Sequence, residues 1–195
     1  MEGLLPFILA VLALLATPGP TNTLMAAAGA QGGVARSLPL LAGELGGYFI
    51  AITVWTELAG VAGASQPLVP VVAKFIAAVF LLWSAWKLWA NAGEADLTQR
   101  GITLGRVFAT TLINPKALVF AFAIFPPVGF VERLPYLGAF AVLVIGTAIC
   151  WMALGMVAAR TSGGLLTSSR VERMTAIALA VFAMLLVVQT VESLL

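Results

Sequence analysis

Six long apolar runs divide this chain from end to end, separated by short segments that hold most of its charged and turn-forming residues. Each run is at least as long as the roughly 20 residues that an α-helix needs to cross the hydrocarbon core of a bilayer. None of the connecting segments is long enough to form a soluble domain. The pattern predicts an all-α integral membrane fold with a single transmembrane domain, 1–195. Its six helices are expected at about 3–30, 38–62, 68–90, 104–125, 134–159 and 171–194.

The composition is typical of a chain whose main solvent is lipid. Hydrophobic residues make up 62% of the sequence and charged residues 9%, and the mean hydropathy is +1.08. A soluble domain is usually about 25% charged, so these few charges could not cover a soluble surface. The opening Met1-Glu2-Gly3 lacks the basic residues of a cleavable signal, and we therefore expect the first run to be retained as a span.

The charged and nucleophilic residues exclude several functions. A formal net charge of +2 without a basic run gives no case for a nucleic-acid partner. The chain has no histidine and only one cysteine, Cys150, so it cannot form a Cys/His metal site or an internal disulfide. A thiol-relay oxidoreductase would need a cysteine pair, and a metal exporter would need histidine or clustered aspartate in its spans. No glycine-rich phosphate-binding loop is present, so ATP is not the predicted energy source. We predict no enzyme activity, no catalytic residue, no metal and no cofactor, and interpret Cys150 as a small apolar helix residue.

Basic residues near the helix ends predict the orientation in the cell (inner or plasma) membrane. Seven lie on one side and two on the other, and the richer side is expected to be cytoplasmic, with both termini outside. A competing topology, with the first and fourth runs as re-entrant hairpins, sorts the same residues five against four, so we favour six full spans. Tryptophans at 83, 86 and 89, beside one of the seven, predict an aromatic belt at the inner interface. The seven are Arg36, Lys87, Arg100, Arg106, Arg160, Arg170 and Arg173, and the two are Lys74 and Arg133.

Two of the predicted helices are interrupted near their middle by proline motifs. The first contains Thr17-Pro18-Gly19-Pro20 and the fourth contains Asn114-Pro115-Lys116. Such breaks cost about 3 kcal/mol or more, and in a membrane they persist only where protein or a wet cavity satisfies the freed backbone groups. The alternative is that both prolines merely kink their helices.

The two breaks lie about half a chain apart, and other features repeat at nearly the same interval. Arg36 corresponds to Arg133, Pro39 to Pro135, and Lys74 to Arg170. We therefore predict two repeats, about 1–97 and 98–195, with three spans each. An odd number of spans per repeat inverts the second copy in the membrane. Matched interrupted helices in inverted halves indicate a transporter binding site near the midplane.

The residues at the breaks predict a site for an anionic group. Asn114 is a good N-cap with Pro115 at the first helical position, and Gly19 with Pro20 repeats the arrangement. Each restart carries a partial positive charge and leaves free amides, predicted at 21–23 and 116–118, and Lys116 adds a full charge. A carboxylate would suit this centre. The predicted substrate site is Pro18, Gly19, Pro20, Thr21, Asn22, Asn114, Pro115 and Lys116.

Two carboxylates lie inside the second predicted span. Intramembrane carboxylates usually face a cavity or a partner, so Glu44 is a candidate for ion coupling, most simply proton coupling, or for holding a substrate amine. An equally weighted alternative is an interfacial Glu44 paired with Arg36. Glu57 is predicted to be interfacial. The substrate ammonium could otherwise be held by carbonyls freed at the breaks and by the side chains of Asn22 and Asn114.

The two interrupted motifs also carry a family resemblance. Thr17-Pro-Gly-Pro-Thr-Asn-Thr-Leu-Met, Asn114-Pro-Lys-Ala-Leu-Val-Phe-Ala-Phe-Ala-Ile-Phe-Pro and the Lys74 segment resemble the LysE/RhtB family of amino-acid exporters along essentially the whole chain. Many members of that family carry Asp or Asn directly after Pro-Gly-Pro, where this chain has Thr21, and Gln where it has Pro127.

The resemblance implies secondary-active export of small amino acids or derivatives such as threonine, homoserine, lysine or leucine, driven by an ion gradient. Alternating access around the two breaks is the expected mechanism. A transporter or channel for another small carboxylate-bearing solute is the alternative. A homodimer is compatible with the sequence.

Overall fold

The computed structural model describes residues 3–65, 68–92, 101–160, 168–192 and 194; at 61–65, 69–70, 168 and 170–171 only the backbone is described. These residues form α-helices and connecting turns, and no strand occurs among them. A single π-helical turn, Phe120–Ile124, follows the sixth helix directly. The helices are α1 Leu4–Ala16, α2 Pro20–Ser37, α3 Leu40–Ser65, α4 Leu68–Ala90, α5 Leu104–Leu112, α6 Pro115–Val119, α7 Phe130–Arg160 and α8 Ser168–Glu192.

The helices account for the predicted spans in part. Within the described residues, three helices (α4, α7 and α8) are long and apolar enough to cross a membrane, and there are five candidates if each bent pair counts as one span. The second predicted span corresponds to α3, which has 26 residues but two glutamates and is not among these candidates. The all-α membrane fold is confirmed, whereas the count of six spans stays a prediction.

Both predicted breaks occur where the proline motifs stand. The chain bends by 63° between α1 and α2 and by 47° between α5 and the segment that starts at Pro115. In each case a proline occupies the first helical position after an extended residue, Gly19 or Asn114. A second bend lies inside α2 at Gly33, whose φ of +74° falls in the left-handed region that favours glycine.

Several predicted loops are shorter than expected. The helix α2 runs on through Arg36, and α3 continues to Ser65. The helix α7 begins four residues earlier than predicted, so Arg133 lies in its first turns rather than in a loop, and Pro135 is inside the helix. The predicted loops at 93–100 and 161–167, the side chain of Arg170 and all of Arg100 lie outside the described residues.

The helices of each half pack mainly against helices of the other half. The bent pair α1–α2 contacts α7, the bent segment α5–α6 contacts α3, and α4 contacts α8. Glycines allow the first two crossings: a Cβ on Gly29 would lie 2.0 Å from the Met152 carbonyl oxygen, and one on Gly43 would lie 2.6 Å from that of Leu104. These are the contacts that a two-fold relation between the halves would make, and the inverted repeat itself stays a prediction.

The antiparallel helices give the bundle two recognisable ends. The C-terminus of α4 meets the N-terminus of α8, where Arg173 lies over the ring of Trp89 at 5.5 Å. We call this the Lys87 end, because the Lys87 ammonium lies 5.2 Å from the Trp83 ring there. At the opposite end, the C-terminus of α3 meets the N-terminus of α7 through Arg133, and we call it the Arg133 end. Trp83, Trp86 and Trp89 are at least half exposed, as residues facing lipid would be.

Candidate functional site

Lys116 is buried where the two breaks meet. Only 1% of the residue is exposed, and its ammonium donates to the Leu14 carbonyl at 3.0 Å and to the Thr17 carbonyl at 2.5 Å. These are carbonyls of the last turn of α1 and of the break that follows it. A cation at a helix C-terminus is favoured by the helix dipole, so the charge of the second half stabilises the interrupted end of the first.

Asn22, in the first turn of α2, also donates hydrogen bonds to carbonyls at the first break. Its side-chain amide donates to the Leu15 carbonyl at 2.7 Å and to the Thr17 carbonyl at 2.8 Å. The side chain of Thr17 donates to Leu14 at 2.7 Å. The break therefore survives in an apolar bundle because side chains replace the helical donors that its prolines remove.

Asn114 joins the second break to the first. Its side-chain oxygen accepts from the Lys116 amide at 3.0 Å, which is the N-cap predicted from sequence. Its side-chain nitrogen donates to the Thr21 hydroxyl at 3.0 Å. The Thr21 hydroxyl also lies 3.1 Å from that of Thr111 on α5. All three side chains are at most 3% exposed, so they form a buried polar link between the halves.

The predicted free amides need correction at three positions. The Thr23 amide donates to the Gly19 carbonyl, and the Ala117 amide donates to the Asn114 carbonyl. The Lys116 amide is taken by the Asn114 side chain. Three of the six predicted amides are therefore taken by the chain itself, and Lys116 carries the full positive charge of the centre.

Gly19 lies directly against the Lys116 side chain. A Cβ built on Gly19 would be 2.9 Å from Cε and 3.1 Å from Nζ of the lysine. The φ of Gly19 is −176°, an extended conformation open to any residue. Space for Lys116 is therefore what requires glycine here.

Glu44 lies inside the bundle, as the ion-coupling prediction requires. The residue is 1% exposed, and its Oε2 atom has no hydrogen-bond partner among the described residues. The alternative pairing with Arg36 is wrong, because Glu44 is buried inside the bundle and Arg36 is an exposed residue on its surface. Glu44 and Lys116 are close enough for their charges to interact. Glu57, by contrast, is half exposed, which agrees with its predicted interfacial position.

Two adjoining cavities reach the breaks from the Lys87 end. One of about 230 Å³ extends from Arg106 and Glu172 to Gly19 and Pro20. The other, of about 780 Å³, extends from Lys87 to Pro20, Asn114 and Pro115. Pro20, Leu88, Thr110 and Glu172 line both, so we treat them together as the Lys87-end cavity. Its larger part falls within the range of roughly 300–1,000 Å³ that is usual for small-molecule pockets.

An aromatic cluster separates the breaks from the Arg133 end. Phe120 and Phe140 are fully buried, and their ring centroids are 4.9 Å apart. Tyr48 packs edge-on against both, at 5.5 and 5.6 Å, and Phe125 packs against Phe140 at 5.5 Å. The route to the breaks is thus lined by cavity on one side and by packed rings on the other.

The predicted site residues meet in one place, with additions that sequence reasoning missed. Pro18 belongs to the bend itself, Pro20 and Pro115 line the cavity, and Thr21, Asn22, Asn114 and Lys116 are buried. The missed residues are Thr111, Tyr48 and the ion pair between Arg133 and Glu57. Thr111 and Tyr48 carry no motif. The ion pair joins residues 76 positions apart, which no local pattern signals.

Comparison with known proteins gives one match. A family model described as LysE type translocator matches residues 12–190, which is most of the chain and includes both interrupted motifs. No curated protein and no solved structure matches the chain.

Proposed function

Since the chain belongs to the LysE type translocator family, we propose that it is a secondary-active exporter of small amino acids or derivatives of the threonine, homoserine, lysine or leucine type. The family makes it a multi-pass membrane exporter of amino acids or related solutes, and its members are transporters rather than enzymes. The substrate, the alternating-access mechanism and the coupling ion are parts of the proposal.

The observation that carries the proposal is the buried ammonium of Lys116 at the junction of both breaks. An intramembrane cation is expensive and usually marks a substrate or ion pathway. Here it is held by main-chain carbonyls of the last turn of α1 and of the break that follows. Neither of these two hydrogen-bond partners is a carboxylate, so a substrate carboxylate arriving along Gly19 and Pro20 would be attracted to the ammonium.

The same carbonyls suit the other end of an amino acid. The carbonyl oxygens of Leu14 and Thr17 now accept from the ammonium of Lys116. When Lys116 turns toward a substrate carboxylate, the same oxygens can accept from the substrate ammonium instead. In this proposal Pro18, Gly19, Pro20, Thr21, Asn22, Asn114, Pro115 and Lys116 form the substrate site. Asn22 and Asn114 keep the break intact while the lysine moves.

The two sides of the site support alternating access. In the predicted orientation, the Lys87-end cavity opens to the cytoplasm, from which an exporter loads its substrate. The cluster of Tyr48, Phe120 and Phe140 closes the path to the outside. Rocking of the halves about the joined breaks would separate those rings and close the cavity.

Glu44 is the proposed coupling residue, with the proton as the coupling ion. Its carboxylate is buried, and one of its oxygens has no hydrogen-bond partner in the part of the chain that the structure describes. The carboxylate also interacts electrostatically with Lys116. A buried carboxylate needs a proton or a cation as its partner. If an external proton replaced the Lys116 ammonium as the partner of the Glu44 carboxylate, the lysine would be released. The movement of the lysine would then be linked to the proton gradient.

The test is efflux from proteoliposomes loaded with a panel of radiolabelled amino acids. The unmodified protein is expected to release one or more of them faster when a gradient is applied, whereas Lys116→Ala and Pro115→Ala abolish the release. Arg36→Ala removes an exposed basic side chain that belongs to neither break and serves as the control. Unchanged efflux in both site variants would remove the proposed site, and release of only non-amino carboxylates would favour the alternative substrate class.

A further inference from the structure

A second cavity, of about 860 Å³, lies at the Arg133 end and has no part in the central site. Its polar lining comes from four helices: Thr56 and Glu57 on α3, Lys74 on α4, Arg133 on α7 and Gln189 on α8. Its floor is the segment from Ala121 to Gly129, which includes Phe125 of the aromatic cluster. It therefore lies on the far side of those rings from Lys116.

Arg133 is the fixed element of this cavity. Its side chain is 5% exposed, whereas that of its ion-pair partner Glu57 is 50% exposed. The guanidinium donates to the Thr56 hydroxyl at 2.6 Å and to the Val128 carbonyl at 2.7 Å, in addition to Glu57 at 2.8 Å. The protein thus holds the arginine through Thr56 and Val128 independently of Glu57, whose side chain is half exposed.

The bonding capacity of Arg133 is incompletely used. A guanidinium has five N–H donors, and the three bonds described above leave one on Nη2 and the one on Nε. The Nε atom is buried and has no partner among the described residues. A buried donor without a partner costs about 1–3 kcal/mol. A carboxylate that takes the place of Glu57 on Nη1 can also accept from the remaining N–H of Nη2, as a bidentate pair.

We propose that this cavity is a carboxylate-binding station in which Arg133 exchanges the side chain of Glu57 for the carboxylate of the departing substrate. The proposal rests on the proposed function, since it treats the cavity as the stage after the central site. The half-exposed Glu57 occupies the position of the ligand between transport cycles, and Lys74 adds a second positive charge to the lining.

Arg36, the arginine at the matching position of the first half, provides a comparison for Arg133. Arg36 lies 97 positions before Arg133 and is exposed at the opposite end. A station at the Arg133 end alone, which is the predicted outer end, would draw substrate away from Lys116 after the aromatic cluster opens. Arg36 also supplies a matched control.

The experiment labels one introduced cysteine, which is simple because the chain has a single native cysteine to remove, Cys150. In a Cys150→Ala background, Gln189→Cys places one thiol on the cavity wall, where the native side chain is exposed. The rate of thiol labelling of the purified full chain in detergent is measured with L-threonine, N-acetyl-L-threonine or L-threonine amide as probe. Threonine and its N-acetyl form are expected to slow labelling, because both keep the carboxylate, and the amide is expected to have no effect.

Variants then identify the binding group. Arg133→Gln is expected to raise the half-protecting concentration about tenfold or more, Arg133→Lys to raise it because the fork geometry is lost, and Glu57→Gln to lower it because the competing carboxylate is gone. Arg36→Gln should leave it unchanged. Equal protection by the amide, or a Glu57→Gln variant that binds no better than the parent, would overturn the station even if Arg133→Gln failed to fold.

The two assays test the station at Arg133 and the central site at Lys116 separately. Lys116→Ala is expected to abolish efflux and to leave the protection of position 189 intact. Efflux that depends on Lys116 without any carboxylate protection at position 189 would refute the station and leave the proposed function standing. Carboxylate protection in a protein that transports no amino acid would refute the proposed function and leave the station.

Discussion

The side-chain ammonium of Lys116 lies 3.0 Å from the main-chain carbonyl of Leu14, 102 residues earlier in the chain. The lysine that restarts the second interrupted helix therefore caps the C-terminal end of α1 before the first break. A substrate that draws Lys116 away removes part of the support of that end. Binding at the centre and the relative movement of the halves are thereby linked through one side chain.

The first prediction concerns the space that Lys116 occupies. Gly19→Ala places a methyl group 2.9 Å from Cε of the lysine, and we expect it to displace the ammonium and reduce efflux at least about tenfold. The backbone at Gly19 is extended, so the effect would be steric. Efflux from proteoliposomes measures it.

Gly146→Ala is the control for this substitution. A Cβ there meets no atom of the described residues within 4 Å, and alanine is favoured over glycine inside a helix by about 1 kcal/mol. We expect efflux like that of the parent. If Gly19→Ala also transported normally, the position of Lys116 against the first break would have no functional weight.

The second prediction concerns the link between the halves. Asn114→Ala removes an N-cap, which typically costs 0.5–2 kcal/mol of stability, and Thr21→Val removes the hydroxyl that accepts from Asn114. Because the two side chains are bonded, their effects should be non-additive by about 0.5–1.5 kcal/mol in a double-mutant cycle. Unfolding of the purified protein in detergent gives the four values.

Thr103→Ala provides the comparison, since Thr103 is also an N-cap and accepts from the Arg106 amide at 3.2 Å. It lies at the exposed start of α5, so its effect should add to that of Thr21→Val without coupling. Coupling of equal size in both cycles would mean that the bond between Thr21 and Asn114 contributes nothing specific.

The breaks could be predicted from sequence because proline acts locally. Pro20 and Pro115 each begin a helix, and Asn114 caps its helix as its side-chain chemistry predicts. The burial of Lys116 followed from its distance from both ends of its span. The two helix starts and the N-cap depend only on residues within one turn of each other, so they can be predicted from the local sequence.

The partners of those residues could not be predicted, because they come from distant parts of the chain. The amides of Thr23 and Ala117 were expected to be free, yet local carbonyls accept from them. Lys116 was expected to point at a ligand, and its ammonium lies on carbonyls about 100 residues earlier in the chain. The start of α7 was placed too late because Glu132 and Arg133 look like loop residues, although the latter is buried in an ion pair.

The third prediction concerns the crossing of α2 and α7. A Cβ on Gly155 would lie 1.8 Å from the Ala26 carbonyl oxygen, and one on Gly29 would lie 2.0 Å from that of Met152. Neither backbone can yield without moving its helix, so each alanine variant should lose roughly 1–3 kcal/mol of stability. The unfolding temperature in detergent is the measurement.

Gly138→Ala, also on α7, serves as the control, because its Cβ meets no atom within 4 Å in the described part of the chain. It should unfold at or slightly above the temperature of the parent. Stability of Gly155→Ala equal to that of this control would mean that the close approach of α2 and α7 does not hold the bundle together.

The last prediction separates coupling from substrate binding. Glu44→Gln keeps the shape of a side chain that is 1% exposed and removes its charge and exchangeable proton. If Glu44 carries the coupling proton, exchange of labelled for unlabelled amino acid across the membrane should continue, because exchange needs only the substrate site. The acceleration of efflux by acidic external medium should disappear. Glu132→Gln, which changes an exposed carboxylate at the start of α7, should keep both activities. An acid-accelerated efflux of parental size in Glu44→Gln would show that the proton is carried elsewhere, and loss of exchange as well would make Glu44 part of the substrate site.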